Sequence, residues 1–108
     1  MDEGTGVTNR GNTYYVDFER IRKVDGYVYY WVLDDYLKPN KNGKFSGKLY
    51  KQGDCKLFRF KYLSFSFYNE PMGGGTGEIA NPKHPGWEYF PPNSMGEIIL
   101  KSVCKHAK

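Results

Sequence analysis

Few residues in this chain have the type and spacing that could do chemistry. Met72–Gly77 (MGGGTG) has the glycine density of a loop that closes backbone amides around a phosphate. It lacks the Lys-Ser/Thr ending of that motif, and Ile79-Ala80-Asn81-Pro82 behind it does not begin a helix, so a plain loop is expected. His84 and His106 are the only histidines, and neither has a second ligand at metal spacing. Cys104-Lys105-His106 is not a zinc pattern if Cys104 is bridged. Ser94 has no nucleophile-elbow context and is better suited to capping a helix. Asp34-Asp35 and Asp17/Glu19 are carboxylate pairs, but adjacent or same-face acids on strands are commonly just solvated, and acid–base catalysis needs a cleft around them. The expectation is a non-enzyme with no catalytic residue, no metal ligand and no cofactor.

The stretch Asp54–Phe67 (DCKLFRFKYLSFSF) is more informative. Basic residues interleave with aromatic ones from Lys56 to Tyr62, the pattern a single-strand nucleic-acid platform uses to stack bases and pair phosphates. Phe58, Phe60 and Tyr62 are more simply core or sheet-face residues, and a net charge of +4 is low for a nucleic-acid binder. Cys55, at the head of this stretch, is one of two cysteines; Cys104 is the other. On a strand, Cys55 shares a face with Leu57, Arg59 and Lys61. A helix packed on that face brings Cys104 to it, and a Cys55–Cys104 disulfide is expected. Its closed loop of about 50 residues corresponds to roughly 4 kcal/mol by chain entropy. Two separate buried thiols are the alternative. A disulfide implies an oxidising compartment.

These residues must be held by elements that the sequence outlines. Residues 1–11 are rich in Gly, Thr and Asn and read as a disordered terminal segment, leaving one domain over 12–108. Asn12–Arg22 reads as a strand, Val24-Asp25-Gly26 as a hairpin turn, and Gly26–Tyr36 as a central strand, apolar on both faces. Leu37–Gly47 is a loop, Lys48–Gln52 a third strand, and Cys55–Tyr68 a long one with a bulge near Lys61–Tyr62 or a split. Glu70–Gly86 has too many Gly and Pro for regular structure, and Trp87–Phe90 is a short last strand. Ser94 and Glu97 form a capping box before an amphipathic helix, with Met95, Ile98, Ile99 and Val103 on one stripe and Leu100 and Cys104 beside it. The fold class is α+β, β-dominated: an antiparallel meander-like sheet of about five or six strands with a C-terminal helix packed on one face.

Composition sets limits on function. Nineteen aromatic residues stand against 16 Ile, Leu and Val, and ten of them are tyrosine, which suits half-buried strand faces. No apolar run approaches the roughly 18 residues of a membrane helix. The start, MDEGTGVTNR, has no apolar stretch, so no signal peptide is expected within it.

The order of these features resembles the bacterial surface-adhesin protein E family. The matching points are Tyr14-Tyr15-Val16-Asp17, the Trp31 strand, Asp54-Cys55 leading into the basic-aromatic strand, and Pro92-x-Ser94-x-x-Glu97 before Val103-Cys104. The resemblance covers residues 13 to 104. It implies an antiparallel sheet with its C-terminal helix bridged to it by Cys55–Cys104, an outer-membrane or secreted setting, binding of host or matrix proteins, and a tendency to dimerise. The Met72–Gly77 loop is a departure from the family pattern. The expected function is a non-catalytic extracytoplasmic protein-binding module, periplasmic, surface-exposed or secreted, whose partner is a protein, including a second copy of itself. Arg20, Arg22, Arg59 and Lys61 are the candidate contact residues. Two other readings stand beside it: a carrier of a small aromatic or haem-like ligand held against the tyrosines, and a single-strand nucleic-acid-binding module.

Overall fold

The computed structural model describes residues 6–9, 12–83 and 85–107. Among these residues, seven strands form one antiparallel sheet: β1 (Gly6–Asn9), β2 (Asn12–Val16), β3 (Arg22–Val24), β4 (Tyr27–Asp35), β5 (Ser46–Asp54), β6 (Arg59–Tyr68) and β7 (Gly77–Ala80). Six run in the order β1-β2-β4-β5-β6-β7, and β3 pairs with β4 beside β2. One helix, α1 (Met95–His106), closes the chain.

The meander follows from local signals. Asp25 and Gly26 both take positive φ (52° and 85°), the left-handed pair that a two-residue hairpin turn requires. Strand β4 then lies in the middle, paired to β2 and β3 along one edge and to β5 along the other. The expected strand over Asn12–Arg22 is broken. After the Asp17 amide donates to the Trp31 carbonyl (3.3 Å), the chain leaves the sheet in a 3-10 turn at Phe18–Arg20 and returns as β3. Asp17 is 1 % exposed and Arg20 folds back onto it (3.1 Å), so Asp17 is a buried partner of that turn and not the solvated strand acid expected.

Other boundaries also differ from the sequence reading. Gly6–Asn9, inside the segment expected to be frayed, is a strand, because the β2 edge offers its backbone a ladder from Gly6↔Tyr15 to Asn9↔Asn12. β5 extends to Ser46 and Asp54, both buried. The long fourth segment starts at Arg59, because Cys55–Phe58 form the β5–β6 turn. The Asp54 carboxylate closes that turn by accepting from the Lys56 and Leu57 amides (3.0 and 3.1 Å). The bulge exists: the register slips by one where Tyr50 faces Ser64 and Lys51 faces Tyr62, leaving Leu63 unpaired. β7 forms inside the Gly/Pro-rich segment by pairing with β6 at Phe65–Tyr68. Trp87–Phe90 makes one bridge, in which Phe60 and Glu88 exchange both backbone bonds (3.0 and 2.8 Å).

α1 covers one face. Ser94 caps it by accepting from the Glu97 amide (3.2 Å), while the Glu97 carboxylate reaches the Asn93 amide (3.4 Å) instead of the cap's own. Its buried side chains are Ile99, Leu100 and Val103; Ile98, expected on the apolar stripe, is 44 % exposed. They pack on Val16, Val28, Tyr30 and Val32, so the even-numbered residues of β4 face the helix. The helix leaves no room for a side chain at Gly53, where a Cβ would meet the Leu100 Cδ1 at 2.6 Å and the Val28 Cγ2 at 2.9 Å. Cys55 and Cys104 are disulfide-bonded, with Cα atoms 5.8 Å apart. The tie runs from the β5–β6 turn, not from a strand face as expected.

Candidate partner-binding face of the sheet

The face away from α1 carries the odd-numbered residues of β4. Residues directly opposite in neighbouring strands share a face. The pairings therefore place Arg22, Tyr29, Gln52 and Lys61 in one row across β3, β4, β5 and β6. The next row up is Trp31, Tyr50 and Ser64, and the next row down is Val24, Tyr27, Asp54 and Arg59. Tyr29, Trp31 and Tyr50 are all half-buried. Trp31 and Tyr50 stack with centroids 4.6 Å apart, and Tyr29 leans on Tyr50 at 6.4 Å. An aromatic strip thus runs along the middle of the face, with basic residues at its sides.

Two segments fold over the ends of this strip. At one end, the Met72 amide donates to the Asp35 carboxylate (2.8 Å), and the Gly73 amide donates to the Ser46 hydroxyl (2.8 Å). Ser46 in turn donates to the Glu70 carbonyl (2.7 Å). The glycine-rich loop is therefore a clasp that spends its Met72 and Gly73 amides on the sheet. Gly73 is needed there, since a Cβ would press on the Lys48 side chain at 2.8 Å and its φ is +74°. At the other end, Trp87 stacks on Tyr27 (5.5 Å), with the Arg59 guanidinium at 4.3 Å and the Lys61 ammonium at 4.5 Å from its ring centre.

The four basic residues singled out from sequence are placed unequally. Arg22, Arg59 and Lys61 share the open face. Arg59 also binds the Asp54 carboxylate (3.1 Å). Burial alone would raise that carboxyl, but the Leu57 and Lys56 amides and Arg59 outweigh it and hold it below the usual range. Arg20 stands apart in the 3-10 turn, on Asp17. Sequence reasoning passed over Trp31, Tyr50 and Trp87 as contact residues. The Trp31 strand reads as apolar on both faces, and which face the helix would leave open is not a local property. Phe18 packs on His106 (5.3 Å), while His84 lies outside the described residues.

On the covered face, Asp34 is not the solvated acid that the Asp34-Asp35 pair suggested. Its Oδ1 is buried without a hydrogen-bond partner, and burial raises its pKa from 3.8 to about 6, with Lys51 pulling the other way. Lys51 is 5 % exposed and burial lowers its pKa against the opposing pull of Asp34 and Glu88. No helix among the described residues is long and apolar enough to cross a membrane, and none of their His, Cys, Asp and Glu side chains cluster as a metal site.

Comparison with known proteins gives a consistent result. The family model described as surface-adhesin protein E matches residues 3–105. Solved structures of Haemophilus influenzae protein E share the fold. One crystal form is 20 % identical with a TM-score of 0.65, over 92 % of this chain and 91 % of that chain. The structure from a non-typeable strain is 17 % identical with a TM-score of 0.62, over 92 % of this chain and 78 % of that chain. No curated protein matches the chain in sequence.

Proposed function

The chain belongs to the surface-adhesin protein E family, and from that premise we propose that it is a non-catalytic, extracytoplasmic module that grips a protein partner with the open face of its sheet. The observation that carries this reading is the half-open strip of Tyr29, Trp31 and Tyr50, with Arg22 and Lys61 in the same row as Tyr29. Large, rigid rings with a polar tip, beside a guanidinium, are the side chains that supply binding energy at protein interfaces. The surrounding cations suit an acidic patch on the partner and speed its approach. The disulfide supports a location outside the reducing cytoplasm. The family name supports a partner on a host or matrix surface. A second copy of the chain is a partner within the same reading, because β7 is an edge strand whose residues are all exposed, Ile79 at 75 %.

The test is biolayer interferometry of the protein against a panel of extracellular-matrix and serum proteins. Binding to at least one is expected. It should be lost in Trp31→Ala/Tyr50→Ala, kept in Lys101→Ala on the exposed side of α1, and weakened by salt. Binding that survives the double substitution would refute this face as the contact.

A further inference from the structure

A cavity of about 350 Å³ lies between the sheet and the first turn of α1. Its apolar lining includes Val32, Leu49, Phe60 and Ile99, and the same cavity is lined by Asp34 and Lys51. Lys51 is more than nine-tenths buried. Its ammonium lies over the rings of Phe60 and Tyr62, 5.1 and 5.3 Å from their centres, and no carboxylate among the described residues stands within 4 Å of it. The Asp34 Oδ1 is sealed from solvent without a hydrogen bond. One cavity therefore holds a cation and an anion that do not pair with each other.

Burial is costly for the 5 % exposed Lys51 side chain and for the sealed Oδ1 of Asp34, a residue that keeps part of its surface open. Apolar residues of similar size would remove the cost, and a direct ion pair would reduce it. Neither is present. A guest carrying both charges a few bonds apart would satisfy both groups at once. The start of α1 adds a further preference: Ser94, Met95 and Gly96 line the cavity, and the N-terminal end of a helix favours a carboxylate. Glu88, also in the lining, adds acidity that favours an ammonium. The volume falls at the low end of the range of about 300–1,000 Å³ for small-molecule sites, which suits a single residue and not a peptide. We infer that this cavity binds a free α-amino acid with an apolar side chain. Its carboxylate meets Lys51 and the start of α1, its ammonium meets Asp34, and its side chain rests on Val32, Leu49, Phe60 and Ile99. This goes beyond the partner-binding reading and uses the opposite face of the sheet.

The experiment is isothermal titration of the whole chain with L-leucine and L-phenylalanine, beside N-acetyl-L-leucine, which lacks the ammonium, and L-leucinamide, which lacks the carboxylate. The free amino acids should bind and raise the melting temperature, and each blocked form should bind at least about tenfold more weakly. Lys51→Met should bring leucine down to leucinamide, and Asp34→Asn should bring leucine down to N-acetyl-leucine. Should either variant fail to fold, the analogue series on the unaltered protein decides. Absence of heat and of any melting shift with both amino acids at about 10 mM would overturn the inference. So would blocked forms that bind as tightly as leucine.

Discussion

The two faces of this sheet are built from the same alphabet and end in opposite states. Along β4, Val28, Tyr30 and Val32 lie under α1 while Tyr27, Tyr29 and Trp31 look the other way. Along β5, Lys51 is sealed beneath the helix, and Lys48, on the other face, lies over the Tyr68 ring at 5.2 Å. What separates the faces is the cover. One helix tied down by a disulfide turns its face into a core with an open-mouthed cavity beside the helix's first turn. The other face receives only a glycine clasp at one end and Trp87 at the other, which leaves aromatic rings half-open between them. A sheet face becomes a core or a contact surface according to what the chain lays across it.

The largest effect should come from cutting the tie. Cys104→Ser opens a loop whose closing residues are 49 apart in sequence, and about 4 kcal/mol of stability should be lost in urea unfolding. The spectrum of the two open-face tryptophans, Trp31 and Trp87, should change little before the transition. A loss under about 1 kcal/mol would mean that the apolar contacts hold α1 without the bond. The next test presses the helix off the sheet. Gly53→Ala places a Cβ 2.6 Å from Leu100 Cδ1 and should cost about 1–3 kcal/mol.

The third test uses pH. Burial raises the folded pKa of Asp34 from 3.8 to about 6, so the folded protein holds this proton more tightly than the unfolded chain. The associated stability is fully present below about pH 4 and is lost as the pH rises through about 6. Lys51, lowered by burial, has the opposite sign, and stability rises with pH as it deprotonates. Tyr14, Tyr62 and Glu88 line the same cavity and are common to the variant and the wild type. Asp34→Asn should therefore come close to the wild type near pH 4 and exceed it by about 2–3 kcal/mol at pH 7. Equal stabilities at both pH values would place Asp34 in contact with water. The smallest stability change belongs to the open face: Trp31→Ala should cost only about 1 kcal/mol, the worth of a half-exposed ring stack, while removing partner binding.

How much of this was legible in the sequence differs between the faces. The meander, the hairpin at Asp25-Gly26, the central β4, the Ser94 cap and the pairing of Cys55 with Cys104 all rest on local signals and were readable. The break at Phe18–Arg20 was not, because Asp17 alternates with its neighbours as a strand acid would, and only its burial against the β4 edge turns it inward. The place of Cys55 was misread for a related reason: Asp54 closes a turn through the Lys56 and Leu57 amides, and a run rich in β-formers hides it. Asp34 looked like a solvated residue and Lys51 drew no notice, because alternation says which residues share a face, not which face is covered. The contact residues chosen for their charge, Arg59 and Lys61, lie beside the strip with Trp87 between them, while the rings that fill it were not singled out as contacts.

The division of labour between the faces is tested most directly by hydroxyl-radical footprinting of the protein free and bound to its partner. We predict that Tyr29, Trp31 and Tyr50 become protected on binding while the exposed residues of α1, Ile98 among them, keep their reactivity. Protection confined to α1 with the three rings unchanged would contradict it.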